Sequence, residues 1–186
     1  MARLGSKAPD FSLPEVVTGK KISLADFDGK KGLLVMFICQ HCPYVQHVKD
    51  ELIRLGRNYA GGDMAIVAVS SNDASRYAED SPQALKEMAR RWGLAYPLCY
   101  DEDQSVAKAY TAACTPDFFL YNDKRELVYR GQLDDSRPEN AKPVTGRDLR
   151  GAMDSVLAGR PVGPEQKPSM GCSIKWKPGN EPAFAR

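Results

Sequence analysis

Leu33-Leu34-Val35-Met36-Phe37-Ile38-Cys39-Gln40-His41-Cys42-Pro43-Tyr44-Val45 is the stretch around which the chain is organised. Six apolar residues follow Gly32, too few to cross a membrane and rich in β-prone types. They read as a fully buried central strand. Beyond the cysteines, Tyr44, Val45, Val48, Leu52, Leu55 and Tyr59 recur with helical periodicity among polar residues, which predicts an amphipathic helix. A strand that delivers C-x-x-C to a helix start points to a reversible dithiol/disulfide. Free N–H groups and the positive dipole end stabilise a thiolate there, and the two-residue spacing lets the second sulfur close a small ring.

Composition narrows the setting. A chain of 186 residues predicts one domain, able to bury roughly two-thirds of its unfolded surface. Lys and Arg exceed Asp and Glu by only two, so neither nucleic acid nor an anionic membrane is expected as a partner. The first residues carry no apolar leader and no transmembrane run follows, so a cytoplasmic location is expected. Five cysteines, Cys39, Cys42, Cys99, Cys114 and Cys172, are too few and too scattered for a disulfide framework. Zinc requires four ligands, usually from two paired motifs, and the sequence holds no second C-x-x-C. No metal and no cofactor are expected.

Working outward, Ala8–Pro14 and Lys21–Leu24 predict an N-terminal β-hairpin turned at Gly19. Met64–Val69 reads as a second buried strand, parallel to the first through a βαβ crossover. Ser81-Pro82 predicts a helix start, Leu85, Met88, Ala89 and Trp92 its apolar face, and Gly93 its end. Tyr96–Tyr100 is a short strand. Asp101-Glu102-Asp103 reads as a solvated loop ahead of a Val106–Tyr110 turn. Phe118–Tyr121 and Glu126–Arg130 predict an antiparallel hairpin, and a last helix starts at Thr145 with Asp148 completing a capping box. The expected division is a domain over residues 1–159 and a proline-rich extension over 160–186. Alternating Ile174 and Trp176 would dock that extension on the domain.

This order resembles the thioredoxin-fold proteins, and within them the branch near peroxiredoxins and periplasmic thiol reductases. Ala8-Pro9-Asp10-Phe11, Asp28-Gly29-Lys30, Cys39-Gln40-His41-Cys42-Pro43, Asp101 to Ala107 and Thr115-Pro116-Asp117-Phe118-Phe119-Leu120 carry the resemblance over about residues 5–158. It implies an α/β fold with a central mixed sheet flanked by helices, and a cis Pro116 that, with Thr115, forms a substrate-binding loop beside the C-x-x-C. There are three departures. Ile38 stands where thioredoxins have tryptophan. Leu33 stands where they bury an acidic residue, which leaves no general base in the strand. Pro43 disfavours α geometry at Cys42 and shifts the helix start, so the dipole acts on Cys42 as much as on Cys39.

The leading functional reading is a thiol–disulfide oxidoreductase. Cys39 is the nucleophile, Cys42 resolves, His41 tunes the couple with Gln40 beside it, and protein or small-molecule disulfides and a thiol reductant or reductase are the partners. Protein disulfide isomerase and DsbA, which are similar in carrying histidine before the second cysteine, are more oxidising than thioredoxin. His47 reads as surface. A thiol peroxidase is the alternative enzyme, but its Pro-x-x-x-Thr-x-x-Cys pattern is absent. The non-enzymatic alternative is a redox-sensing or metal-binding scaffold. Cys114 is expected near the active loop as an accessory thiol or a small buried hydrophobe, Cys99 as the latter. Cys172 is an accessory thiol in the tail, and a Cys114–Cys172 disulfide is one open possibility.

Overall fold

A computed structural model describes residues 2–185. β1 (Ser12–Pro14) and β2 (Lys21–Ser23) form an antiparallel hairpin. The chain then runs through β3 (Gly32–Phe37), α1 (Pro43–Tyr59), β4 (Met64–Ser70), α2 (Pro82–Trp92), β5 (Leu98–Tyr100) and α3 (Ser105–Tyr110). It continues through β6 (Cys114–Thr115), β7 (Asp117–Tyr121), β8 (Leu127–Gly131), α4 (Arg147–Leu157) and β9 (Cys172–Ser173). The main sheet has the order β5-β4-β3-β7-β8. β3 runs parallel to β4 and antiparallel to β7, so the sheet is mixed, with the strand that ends at the cysteines in its middle.

Period-two alternation sends β3 side chains to two cores. Leu34 and Met36 pack with Val45, Leu52, Leu85, Met88, Leu149 and Met153 from α1, α2 and α4. Leu33, Val35 and Phe37 pack on the opposite face with Val106 and Tyr110 of α3, and with Phe11 and Leu13. Every β3 residue is buried because both faces are covered.

The α2 boundaries match their sequence signals: Ser81 Oγ accepts from the Ala84 N–H at 3.3 Å, and Gly93 closes the helix at φ +60°. Two other expectations are corrected. The capping box at Thr145 does not form. Gly146 is the N-cap of α4, and the buried Asp134 carboxylate accepts from the N–H groups of Thr145 and Gly146, both at 2.6 Å. Asp101 is not solvated. It is buried and accepts from Ser71 Oγ and from the N–H groups of Val106 and Ala107, which ties α3 to the end of β4. Asp134 lies 11 and 12 positions before the groups it caps, outside a local window, whereas Asp101 lies at the helix start that the sequence predicts and only its burial departs from the expectation.

The segment after α4 lies on the domain. Ile174 and Trp176 are buried in the core beneath α3. The Lys175 N–H donates to Asn72 Oδ1 at 2.8 Å, its carbonyl accepts from the Asp73 N–H at 2.8 Å, and the Lys177 N–H donates to Gln104 Oε1 at 2.9 Å. β9 pairs antiparallel with β6. Gly171 lies flush on the Thr115–Pro116 peptide, where a Cβ would overlap the Thr115 carbonyl. Gly171→Ala is therefore expected to cost about 1–3 kcal/mol and to loosen β9. Urea unfolding and trypsin cleavage after Lys175 check this; unchanged protection at Lys175 would refute the close fit.

Candidate active site

The two cysteines of the motif emerge from β3 and end at α1. Proline fits the first helical position but drives the preceding residue out of the α region. Cys42 is accordingly extended, at φ −69° and ψ 123°, and becomes the N-cap of α1 with Pro43 as its first helical residue. Both thiols are free. Exposure does not distinguish them: Cys39 is 1% and Cys42 0% exposed. Across from them, the Thr115–Pro116 peptide is cis. Cys39 Sγ and Thr115 Oγ1 share a hydrogen bond at 3.3 Å, and the Cys42 thiol donates to the Thr115 carbonyl at 3.1 Å.

The pair is electrostatically asymmetric. The Cys39 thiol, pointing at Cys42, stabilises a Cys42 thiolate, and this is the largest influence on the group. Burial opposes it, while the Cys172 thiol, the Thr115 hydroxyl and the Val45 N–H in the first turn of α1 add to it. The net effect holds Cys42 well below the ordinary thiol range. Cys39 is pushed up, first by its role as donor to Cys42, then by burial and by the negative charge of Asp80. The asymmetry favours charge on Cys42, chiefly through the Cys39 thiol, with the α1 terminus to which Pro43 brings it as a smaller contribution.

Asp80 is the residue that sequence reasoning missed. It precedes α2, is fully buried, and accepts from the Gln40 N–H at 2.7 Å, the Asn72 side chain at 2.7 Å and His41 Nδ1–H at 2.5 Å. A carboxylate thus reaches the motif from a neighbouring loop, although Leu33 leaves none in the strand. Nothing in the local pattern around Asp80 distinguishes it from an ordinary polar loop residue. His41 also stacks on Tyr77, with ring centroids 5.2 Å apart. Gln40 contributes through its backbone N–H. His47 is not simply surface, since its Nε2 lies 2.7 Å from Ser136 Oγ. Cys39, His41 and Asp80 together offer three donor atoms within 4.8 Å of one another. Tetrahedral zinc needs a fourth ligand, and the Asp80 oxygens are already engaged by four donors, counting the His41 N–H.

The remaining cysteines separate by strand register. Cys99 is fully buried in β5, where burial pushes its thiol up to about 12. In the β6–β9 pair, Cys172 stands opposite Thr115, whereas Cys114 stands opposite Ser173. Alternation therefore turns Cys172 to the Thr115 side, where it packs against the cluster that holds Cys39 and Cys42, and Cys114 away from it.

A mixed five-stranded sheet flanked by helices, with two cysteines at the end of its central strand facing a cis-proline loop, defines a thioredoxin-like fold with a paired-thiol site. Residues 4–130 match the AhpC/TSA family, and the chain belongs to that family. The thiol-disulfide oxidoreductase ResA of Bacillus subtilis is 28% identical over 124 residues, 67% of this chain and 64% of that protein. The match thus spans just under two-thirds of the relative's length. A solved structure, an uncharacterized conserved protein from Geobacillus kaustophilus, has a TM-score of 0.94 at 52% identity, covering 96% of this chain and 95% of its own. The thioredoxin domain of a thiol-disulfide oxidoreductase from Bacteroides vulgatus shares the fold, with a TM-score of 0.59 at 20% identity over 70% of this chain and 89% of its own.

Proposed function

We propose that this chain is a thiol–disulfide oxidoreductase in which the Cys42 thiolate opens the reaction. The observation that carries the reading is the position of Cys42 as N-cap at the α1 N-terminus, beside the Cys39 thiol and the Val45 N–H. The activity in the name of the Bacillus relative points the same way. In the forward step Cys42 attacks one sulfur of a protein or small-molecule disulfide. A mixed disulfide forms and the partner sulfur leaves as a thiolate. Cys39 then attacks the Cys42 sulfur, the Cys39–Cys42 bond forms, and the second substrate sulfur departs with the Cys39 proton. An external thiol reductant restores the dithiol. The cis Thr115–Pro116 loop offers backbone groups to an extended substrate beside the sulfurs.

A peroxidase is the weaker reading. Counting back from Cys42, Cys39 and Val35 occupy the positions where that chemistry needs threonine and proline.

Two measurements test the proposal. Insulin reduction driven by dithiothreitol should accelerate with the wild-type protein, and peroxide consumption without disulfide turnover would overturn the assignment. A stabilised Cys42 thiolate favours the reduced form, as it does in DsbA, so the Cys39/Cys42 potential should be roughly −240 to −180 mV in glutathione buffers. A value at or below about −270 mV, the thioredoxin figure, would show that the asymmetry does not set the couple.

A further inference from the structure

The proposed exchange leaves a difficulty of access. Both sulfurs of the motif are sealed from solvent, yet the oxidised site must meet an external reductant. The tail supplies a third sulfur on the same side. Cys172 is half-buried, stands opposite Thr115 across β6 and β9, and follows Met170, which is 56% exposed. Thr115 itself contacts both motif cysteines through its hydroxyl and its carbonyl. Gly171 lets the tail backbone close onto the Thr115–Pro116 peptide, where any side chain would hold it off. Burial of Ile174 and Trp176, with the Lys175 and Lys177 hydrogen bonds, holds the segment there. These features converge on one placement of the tail beside Thr115, and there Cys172 packs against the cluster that holds Cys39 and Cys42.

We propose that Cys172 is a third redox thiol, which resolves mixed disulfides held on Cys42 and carries the resulting disulfide to the protein surface. The inference rests on Cys42 acting as proposed above. Cys172 gives up its proton and attacks the Cys42 sulfur of the mixed disulfide. The Cys42–Cys172 bond forms, the Cys42–substrate bond breaks, and the substrate sulfur leaves and takes up the proton. The two cysteines are oxidised to one disulfide and the substrate disulfide is reduced to two thiols. A dithiol reductant then attacks the accessible Cys172 sulfur and releases Cys42. Its second thiol displaces Cys172, and the reductant leaves as a disulfide.

The charge balance makes the step self-triggering. In the resting site burial pushes the Cys172 thiol up, and its role as donor to Cys42, together with the Cys42 charge, pushes it further. Forming a mixed disulfide on Cys42 removes that charge, so Cys172 ionises more readily once there is something to resolve.

The test compares Cys39→Ser with Cys39→Ser/Cys172→Ser, using oxidised glutathione as the probe and following intact mass and non-reduced peptides. In the single variant the glutathione adduct on Cys42 is expected to disappear at least about tenfold faster than in the double variant, giving a Cys42–Cys172 cross-linked peptide. The double variant should hold the adduct. Equal adduct lifetimes, or a Cys114–Cys172 cross-link in place of Cys42–Cys172, would overturn the third-thiol role and leave the oxidoreductase reading standing. If the double variant forms no adduct on Cys42 at all, the nucleophile assignment falls, and this inference with it. Serine at position 172 keeps the size of the side chain, and trypsin resistance at Lys175 reports that the tail of each variant is docked.

Discussion

Cys42→Ser is expected to reduce disulfide turnover by roughly a thousandfold or more, because it removes the proposed nucleophile and leaves Cys39, which burial and the Asp80 charge still push above the ordinary thiol range once its hydrogen bond to Cys42 is gone. Thiolate ultraviolet absorbance followed against pH checks the cause without requiring a reagent to reach a buried sulfur. Wild type and Cys39→Ser should both show one thiolate titrating below the usual thiol range, and Cys42→Ser should lose it. The same asymmetry shapes stability. Unfolded Cys42 keeps its proton up to about pH 8.5, whereas the folded group loses it at lower pH. The unfolded state then binds more protons through that window, so the stability of reduced protein rises with pH across it and flattens above about 8.5. Urea midpoints of reduced wild type relative to Cys42→Ser should trace that rise. An early titration that survives Cys42→Ser and vanishes in Cys39→Ser would restore the first cysteine as nucleophile.

The second large effect belongs to Asp80. Asp80→Ala leaves the Gln40 N–H, the Asn72 amide and the His41 ring without their acceptor in a buried site, and unsatisfied buried donors cost about 1–3 kcal/mol each before relaxation. The expected loss is about 2–4 kcal/mol, read from urea unfolding. Asp80→Asn separates charge from shape. Its oxygen still accepts from Gln40, but the negative charge beside Cys39 is gone, so Cys39 should ionise at lower pH than before. Placed in a Cys42→Ser background, where Cys39 is the motif's only thiol, Asp80→Asn should move the Cys39 titration downward. An unmoved titration would show that Asp80 holds the loop without acting on the sulfur.

Much of this site follows from local pattern. The apolar run of β3, the helical period of α1 and the two-residue cysteine spacing are properties of short windows. They were enough to place Cys39 and Cys42 between a buried strand and an amphipathic helix. Pro43 carries a local steric rule as well, and from it alone comes the expectation that Cys42 shares in the helix terminus. Thr115-Pro116 was legible as a dipeptide through the family resemblance, and the fold places Thr115 against both cysteines.

What the windows do not contain is distance between elements. Asp80 reaches the motif because β4 packs parallel to β3 and brings the loop that follows it to the same end of the sheet. Beyond the Cys39 thiol itself, the groups that add to the asymmetry at Cys42 are Thr115 and Cys172, which lie 73 and 130 positions beyond it in the sequence. Cys172 meets Thr115 and not Cys114 because the register of a two-residue strand pair, shifted by one, turns every side chain to the other face. By itself the sequence determined that two thiols meet a helix start; only the tertiary structure decided which groups surround each of them. The reason is physical. Periodicity and spacing act along the chain, whereas a buried thiolate is stabilised by whichever donors folding brings within a few ångströms of it.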